Sequence, residues 1–265
     1  MASDHSVADK SFSEKENEIL KGSAATSIHS VNTAETLLNT SSSFTPGPSL
    51  FIDARGKELF RLPTPTSQLE IHISNPDGSL AYLSTREKRW SGNCTLSSPQ
   101  GGNLISTEYF FGPNKAPIIR RSAESEKVSS EIKVTGKWIS RTTNFATPDG
   151  SAFEWRYVKE RGPDGKKQQL MVLEKIEIAG RRRVAHLLRN EQTMPAKTST
   201  CTAGNGGELV FDRNAFEVMD EALVVTTCLL MLKKEIDRRR TLQTLVIMGA
   251  AGDTPNLSRR PSSPA

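Results

Sequence analysis

Residues 214–240 read NAFEVMDEALVVTTCLLMLKKEIDRRR, and this stretch decides the fold. Asn214 followed three residues later by Glu217 has the form of a helix-starting capping box. Asp220 and Glu221 lie toward its start, while Lys233, Lys234 and Arg238 to Arg240 lie toward its end. That order complements a helix dipole. Between the two groups, the eleven residues from Ala222 to Leu232 carry no charge. At about 100° per residue such a run covers every face of a helix, so it is no amphipathic stripe. A membrane span needs about 20 apolar residues, roughly twice this run. The expectation is a helix over about 214–240 that is surrounded by protein. Thr226 and Thr227 are compatible with burial because they can bond back to their own helix carbonyls.

The rest of the chain has the texture of a wall. From Leu50 onward, short apolar-polar alternations are separated by turn signals. A hairpin is expected from Leu50–Asp53 and Lys57–Leu62 around Ala54-Arg55-Gly56. Further turns are expected at Asn75-Pro76-Asp77-Gly78, Pro148-Asp149-Gly150 and Pro163-Asp164-Gly165. Phe153, Trp155 and Tyr157 fall on one face of a strand, and Trp90 reads as a strand-borne anchor within Arg89–Leu96. The run Gly204-Asn205-Gly206-Gly207 reads as a flexible connection ahead of a short strand, Leu209–Phe211. About ten to twelve strands followed by one apolar helix imply an α+β, mainly β, protein: a closed antiparallel barrel around the helix.

Residues 1–48 are Ser-rich and poor in apolar side chains, and the end from about residue 252 is polar and Pro-containing. Both read as disordered tails flanking one domain over 49–251. The chain has 265 residues and a formal net charge of +5; residues 1–49 carry −3 and the last 16 carry +1, which leaves +7 on the domain. A basic domain suits anionic partners. The start of the chain has no signal-peptide core. Cys94, Cys201 and Cys228 are odd in number and far apart, which suggests neither a disulfide framework nor a zinc site. An intracellular setting follows, with peripheral membrane association open.

Leu209-Val210-Phe211-Asp212, leading through Phe216 into Ala222–Leu232, resembles the closing strand and hydrophobic helix of the tubby C-terminal-like superfamily. That superfamily includes tubby proteins, phospholipid scramblases and LURP-one-related proteins. Phe51-Ile52-Asp53-Ala54-Arg55-Gly56-Lys57 looks like the opening strand of the LURP-one type. The resemblance covers about Leu50 to Met248 in architecture rather than in a short motif. It implies a twelve-stranded barrel around a buried helix, a non-enzymatic scaffold, and lipid or protein binding as the precedent. The scramblases' Cys-rich segment is absent from this sequence.

No Gly-x-Ser-x-Gly elbow, metal-binding spacing or phosphate loop is present in the sequence. His5, His29, His72 and His186 are scattered, and His186 reads as structural. No catalytic residue, metal ligand or cofactor is therefore expected. The candidate site residues are basic clusters: Arg86, Lys88 and Arg89; Lys166 and Lys167; Arg181, Arg182 and Arg183; and Arg238 to Arg240. Each such residue near an anionic membrane contributes about 1 kcal/mol. The expected partner is an anionic phospholipid, a phosphoinositide above all, or an unknown protein, bound by a monomer. The alternatives are a small-molecule carrier or enzyme using a barrel-mouth pocket and, more weakly, a nucleic-acid binder. Ser262 and Ser263 beside Arg259-Arg260 form a candidate phosphorylation site.

Overall fold

The computed structural model describes residues 44–252 except 59–61, 63, 65, 113–114, 123–130, 138–139, 163–164, 166, 197 and 199–200. Its strands are β1 (Pro46–Lys57), β2 (Glu70–Ser74), β3 (Leu80–Thr85), β4 (Cys94–Ser97), β5 (Asn103–Glu108), β6 (Ile118–Arg121), β7 (Glu131–Thr135), β8 (Thr143–Ala146), β9 (Ala152–Arg161), β10 (Lys167–Glu177), β11 (Gly180–Leu188) and β12 (Ala203–Asp212). One α-helix, α1 (Glu221–Gly252), follows a 3-10 turn at Ala215–Glu217. Each strand pairs antiparallel with its neighbour in sequence, and β1 pairs with β12 to close the barrel. Closure leaves no strand edge unpaired, which removes the usual aggregation liability of a sheet.

The up-and-down order gives the barrel two distinct ends. At the base lie the turns after β2, β4, β8 and β10, the end of β12 and the start of α1. There Tyr82 donates its hydroxyl to Glu221 at 2.9 Å. At the mouth lie the loops after β1, β3, β5, β7, β9 and β11. Arg239 reaches the Cys201 carbonyl there at 3.1 Å, and Gln243 reaches that of Glu58 at 3.2 Å.

All eleven residues from Ala222 to Leu232 are buried, none more than 8% exposed. They share one hydrophobic cluster with inward residues from around the wall, among them Ile52, Ile73, Ile119, Trp155, Leu187 and Phe211. Thr226 and Thr227 donate to the Ala222 and Leu223 carbonyls at 2.8 and 3.0 Å, so their hydroxyls enter the core already satisfied.

The structure corrects several expectations. The helix begins at Glu221 rather than Asn214, whose side chain makes no capping bond. Asp220 caps it instead, its Oδ1 accepting the Leu223 amide at 3.0 Å. The segment between β12 and α1 is used to turn the chain under the base, with Phe216 packed on Phe211. The helix also runs twelve residues past Arg240, to Gly252.

The expected hairpin at Ala54-Arg55-Gly56 is one continuous strand, β1, with a register shift between Ile52 and Arg55. Gly56 takes φ +63°, which bends that strand without ending it. Strand β1 also begins at Pro46, inside the stretch read as a tail, and Arg213 donates to the Thr45 carbonyl.

The stretch 204–207 is no flexible connection, because it lies inside β12. A Cβ on Gly206 would sit 1.8 Å from the Ile52 carbonyl oxygen of β1, and one on Gly207 would sit 2.3 Å from that of Leu188. Gly204, at φ +72°, lies against Ile236 and the Leu232 carbonyl of α1. These glycines let β12 approach its neighbours and the helix closely. Trp90 is not a core anchor, being 78% exposed in the mouth loop before β4.

Leu229→Asp should abolish the cooperative thermal transition, since a buried unpaired carboxylate costs more than a domain of this size has in reserve. Leu245→Asp, at a position 60% exposed, should melt within about 0.5 kcal/mol of the parent. Circular dichroism melts of both variants check the pair, and a stable Leu229→Asp protein would refute burial of the Ala222–Leu232 run.

Candidate functional site at the barrel mouth

The charged middle of α1, Lys233 to Arg240, still lies within the barrel's mouth, and none of its residues is fully exposed. Just over two turns of helix there carry seven charged side chains, and the structure sorts them by partner. Glu235 takes a two-pronged contact from Arg189 at 2.8 and 3.1 Å. It also accepts the Gly204 amide at 2.8 Å and the Tyr157 hydroxyl. Burial alone would raise the Glu235 carboxyl, but the Arg189 guanidinium outweighs it and holds the group below the ordinary range. Burial, aided by Glu235, pushes the Tyr157 phenol up and keeps it a donor. Asp237 is fully buried and accepts from Lys233 and Arg240, each at 3.1 Å.

Lys234 differs from its neighbours. Its Nζ lies 3.2 Å from the Thr143 hydroxyl, and among the described residues no carboxylate pairs with it. Burial, reinforced by nearby Arg238, lowers its ammonium to about 8. Lys234 lines a cavity of about 170 Å³ together with Lys115, Tyr109, Phe110, Thr135 and Gly136. Two lysines therefore face one open space at the mouth, and Lys115 also sits 4.5 Å from the Phe110 ring centre. The chemistry on offer is capture of an anion by two ammonium groups. A smaller cavity of about 60 Å³, between α1 and the β1–β5 side of the wall, is mainly apolar, with Arg86, Cys94 and Lys233 on its edge.

The expected basic clusters separate. Lys88 and Arg89 are exposed in the mouth loop after β3. Arg86, in the same loop, instead ties that loop down by donating to Thr66 and to the Gln68 carbonyl. Lys167 starts β10 at the mouth and is exposed. Arg181, Arg182 and Arg183 lie toward the base on β11 and belong to a carboxylate lattice on the wall. Arg181 bonds Glu154 and Glu174, Arg183 bonds Glu160, and Arg182 lies 3.9 Å from Asp212. Arg156 completes the lattice with two 2.7 Å bonds to Glu174. Arg238 donates to the Ser140 carbonyl at 2.7 Å. Lys166, Ser262 and Ser263 lie outside the described residues, as does Trp138.

His186 packs against Phe44, and burial with help from Arg183 lowers its imidazole to about 4, so it stays neutral. Burial pushes the Cys94 and Cys228 thiols up, away from the thiolate form that reactive cysteines need. Among the described residues, no group of three or more His, Cys, Asp or Glu side chains could hold a metal ion. No described helix is long and apolar enough to cross a membrane.

The basic clusters read from the sequence left out Lys234, Glu235 and Asp237 and their partners Tyr157 and Arg189. The available signal was Glu235 and Asp237 themselves, carboxylates that oppose the dipole at a helix C-terminus. No family model, curated protein or solved structure matches this chain.

Glu235→Ala should lower stability by about 3–5 kcal/mol, because it strands the buried Arg189 guanidinium. The double variant Glu235→Leu with Arg189→Met should recover most of that loss in urea unfolding. Equal stability of Glu235→Ala and parent would show that the pair does not hold the mouth together.

Proposed function

We propose that this protein is a non-enzymatic binding domain, a barrel wound around α1, whose mouth takes a phosphate-bearing anionic headgroup, most naturally that of a phosphoinositide. The observation that carries this reading is Lys234, a half-buried ammonium without a carboxylate partner among the described residues, facing a 170 Å³ cavity beside Lys115. A buried cation without a counter-charge is costly, and an arriving anion relieves that cost. Exposed Lys88 and Arg89 at the same end of the barrel would add weak attraction around the cavity. The ion pairs of Arg181 and Arg183 favour a role for them in holding the wall. This reading agrees with what the resemblance to tubby-like proteins implies. It also makes the protein a peripheral, intracellular binder.

The test is calorimetric titration with soluble inositol phosphates. Lys234→Met should weaken binding by about tenfold or more, since a charge-assisted hydrogen bond contributes about 1.5–3 kcal/mol. Binding needs the ammonium, so the parent's affinity should fall as pH rises through about 8, while Lys234→Met should show a flatter profile between pH 7 and 9.5. Identical affinities for Lys234→Met and parent would remove the headgroup reading.

A further inference from the structure

Exposed apolar surface is distributed unevenly over this barrel. Ile178 lies in the base turn after β10; every other described large apolar side chain more than half exposed is at the mouth. These are Leu62, Trp90 and Phe111 on three separate loops, and Leu242, Leu245, Val246 and Met248 on the projecting part of α1. The loops and the helix form one surface. The Arg240 guanidinium lies 6.0 Å from the Trp90 ring centre and 5.0 Å from that of Phe111, so both rings stand beside the root of the projection.

Beyond Gln243 and Thr244 at its root, the projecting segment has no polar side to offer water. Leu245, Val246, Ile247 and Met248 are consecutive, and at about 100° per residue they point around the whole circumference. A helix lying flat on an interface would keep a polar face. This one is instead suited to enter end-on. From Leu242 to Met248 it rises about 9 Å, against an interfacial depth of about 5–10 Å and a hydrocarbon core of about 30 Å. It can reach past the headgroups and cannot cross.

The charge around it fits an anionic surface. The exposed charges on the described mouth loops include Lys88, Arg89, Lys115, Lys137 and Arg141, against Glu58, Glu87 and Glu191. Tryptophan is enriched where protein meets the headgroup layer. We infer that the mouth docks on an anionic lipid bilayer, with Leu245–Met248 and Trp90 entering the acyl boundary while Lys234 and Lys115 meet a headgroup phosphate. This inference rests on the headgroup reading above and adds penetration of the bilayer to it.

The experiment uses the full chain with phosphatidylcholine vesicles, with and without phosphatidylinositol bisphosphate, whose acyl chains are either brominated or plain. Tryptophan fluorescence should be quenched by brominated chains when the anionic lipid is present, and Trp90→Phe should lose most of that quenching. The double variant Leu245→Asp with Val246→Asp should lose at least about tenfold in vesicle partition, and the quenching with it. Its melting temperature and its affinity for soluble inositol phosphate should match the parent's. Vesicle binding without quenching would overturn insertion and leave the headgroup reading intact. Loss of the Lys234-dependent inositol phosphate binding would count separately, against the headgroup reading. Self-association in sedimentation that the double variant abolishes, in place of vesicle binding, would assign the apolar mouth to a second copy and overturn the lipid surface. Absence of both vesicle binding and self-association would overturn it too.

Discussion

Eleven consecutive buried helical residues set the terms for the rest of this structure. A helix apolar on all sides has no solvent face, so every direction around Ala222–Leu232 must be filled by other side chains. Burying each Leu, Val or Met of that run contributes about 1.5–3 kcal/mol before entropy is charged against it. The gain is realised only if the sheet closes, and closure depends on the one pairing between strands distant in sequence, β1 with β12. That seam is where the glycines concentrate. Gly206 lets β12 pass the Ile52 carbonyl, and Gly204 lets its first residues lie on the helix. Burial of the helix and closure of the sheet are therefore mutually dependent, and the seam holds both.

The pattern of alternation carried the wall, and the uncharged run carried the helix, because both signals are repeated over many residues. The twelve-strand antiparallel barrel and the C-terminal helix were legible for that reason. What failed were single-residue inferences where tertiary contact reverses the local meaning. Gly56 and Gly204–Gly207 look like breaks in a strand pattern, but they mark a bend and close approaches within strands. Asn214 and Glu217 have capping-box spacing, but the chain turns under the barrel there and Asp220 starts the helix. Trp90 alternates like a core residue, yet it sits in a loop.

The charged helix end is where the sequence reading left most of the site out. KKEIDRRR complements a dipole and looks solvated, and nothing local reveals that it lies inside a mouth lined by Arg189, Tyr157 and Ser140. The same eight residues do three different things. Glu235 and Asp237 hold buried cations, Arg238 to Arg240 fasten the helix to mouth loops and to one another's neighbours, and Lys234 faces a cavity. Lys233 and Asp237 form an i,i+4 pair one turn apart, whereas Lys234 is rotated about 100° from Lys233 and turns to the Thr143 hydroxyl instead.

That rotation bears on where recognition belongs. On the outer wall toward the base, Arg156 and Arg181 share Glu174, and Arg183 has Glu160, so little uncompensated charge is left there. At the mouth, Lys233 is neutralised by Asp237, yet the adjacent Lys234 is left with a hydroxyl, an open space and a depressed ammonium. A fold that needed Lys234 merely as solvated surface would gain nothing by half-burying it. The energetic imbalance lies at the same end of the barrel as the exposed apolar side chains of Trp90, Phe111 and α1. Uncompensated positive charge and unburied apolar surface have opposite preferences in water, and a layer that is anionic outside and hydrocarbon within satisfies both at once.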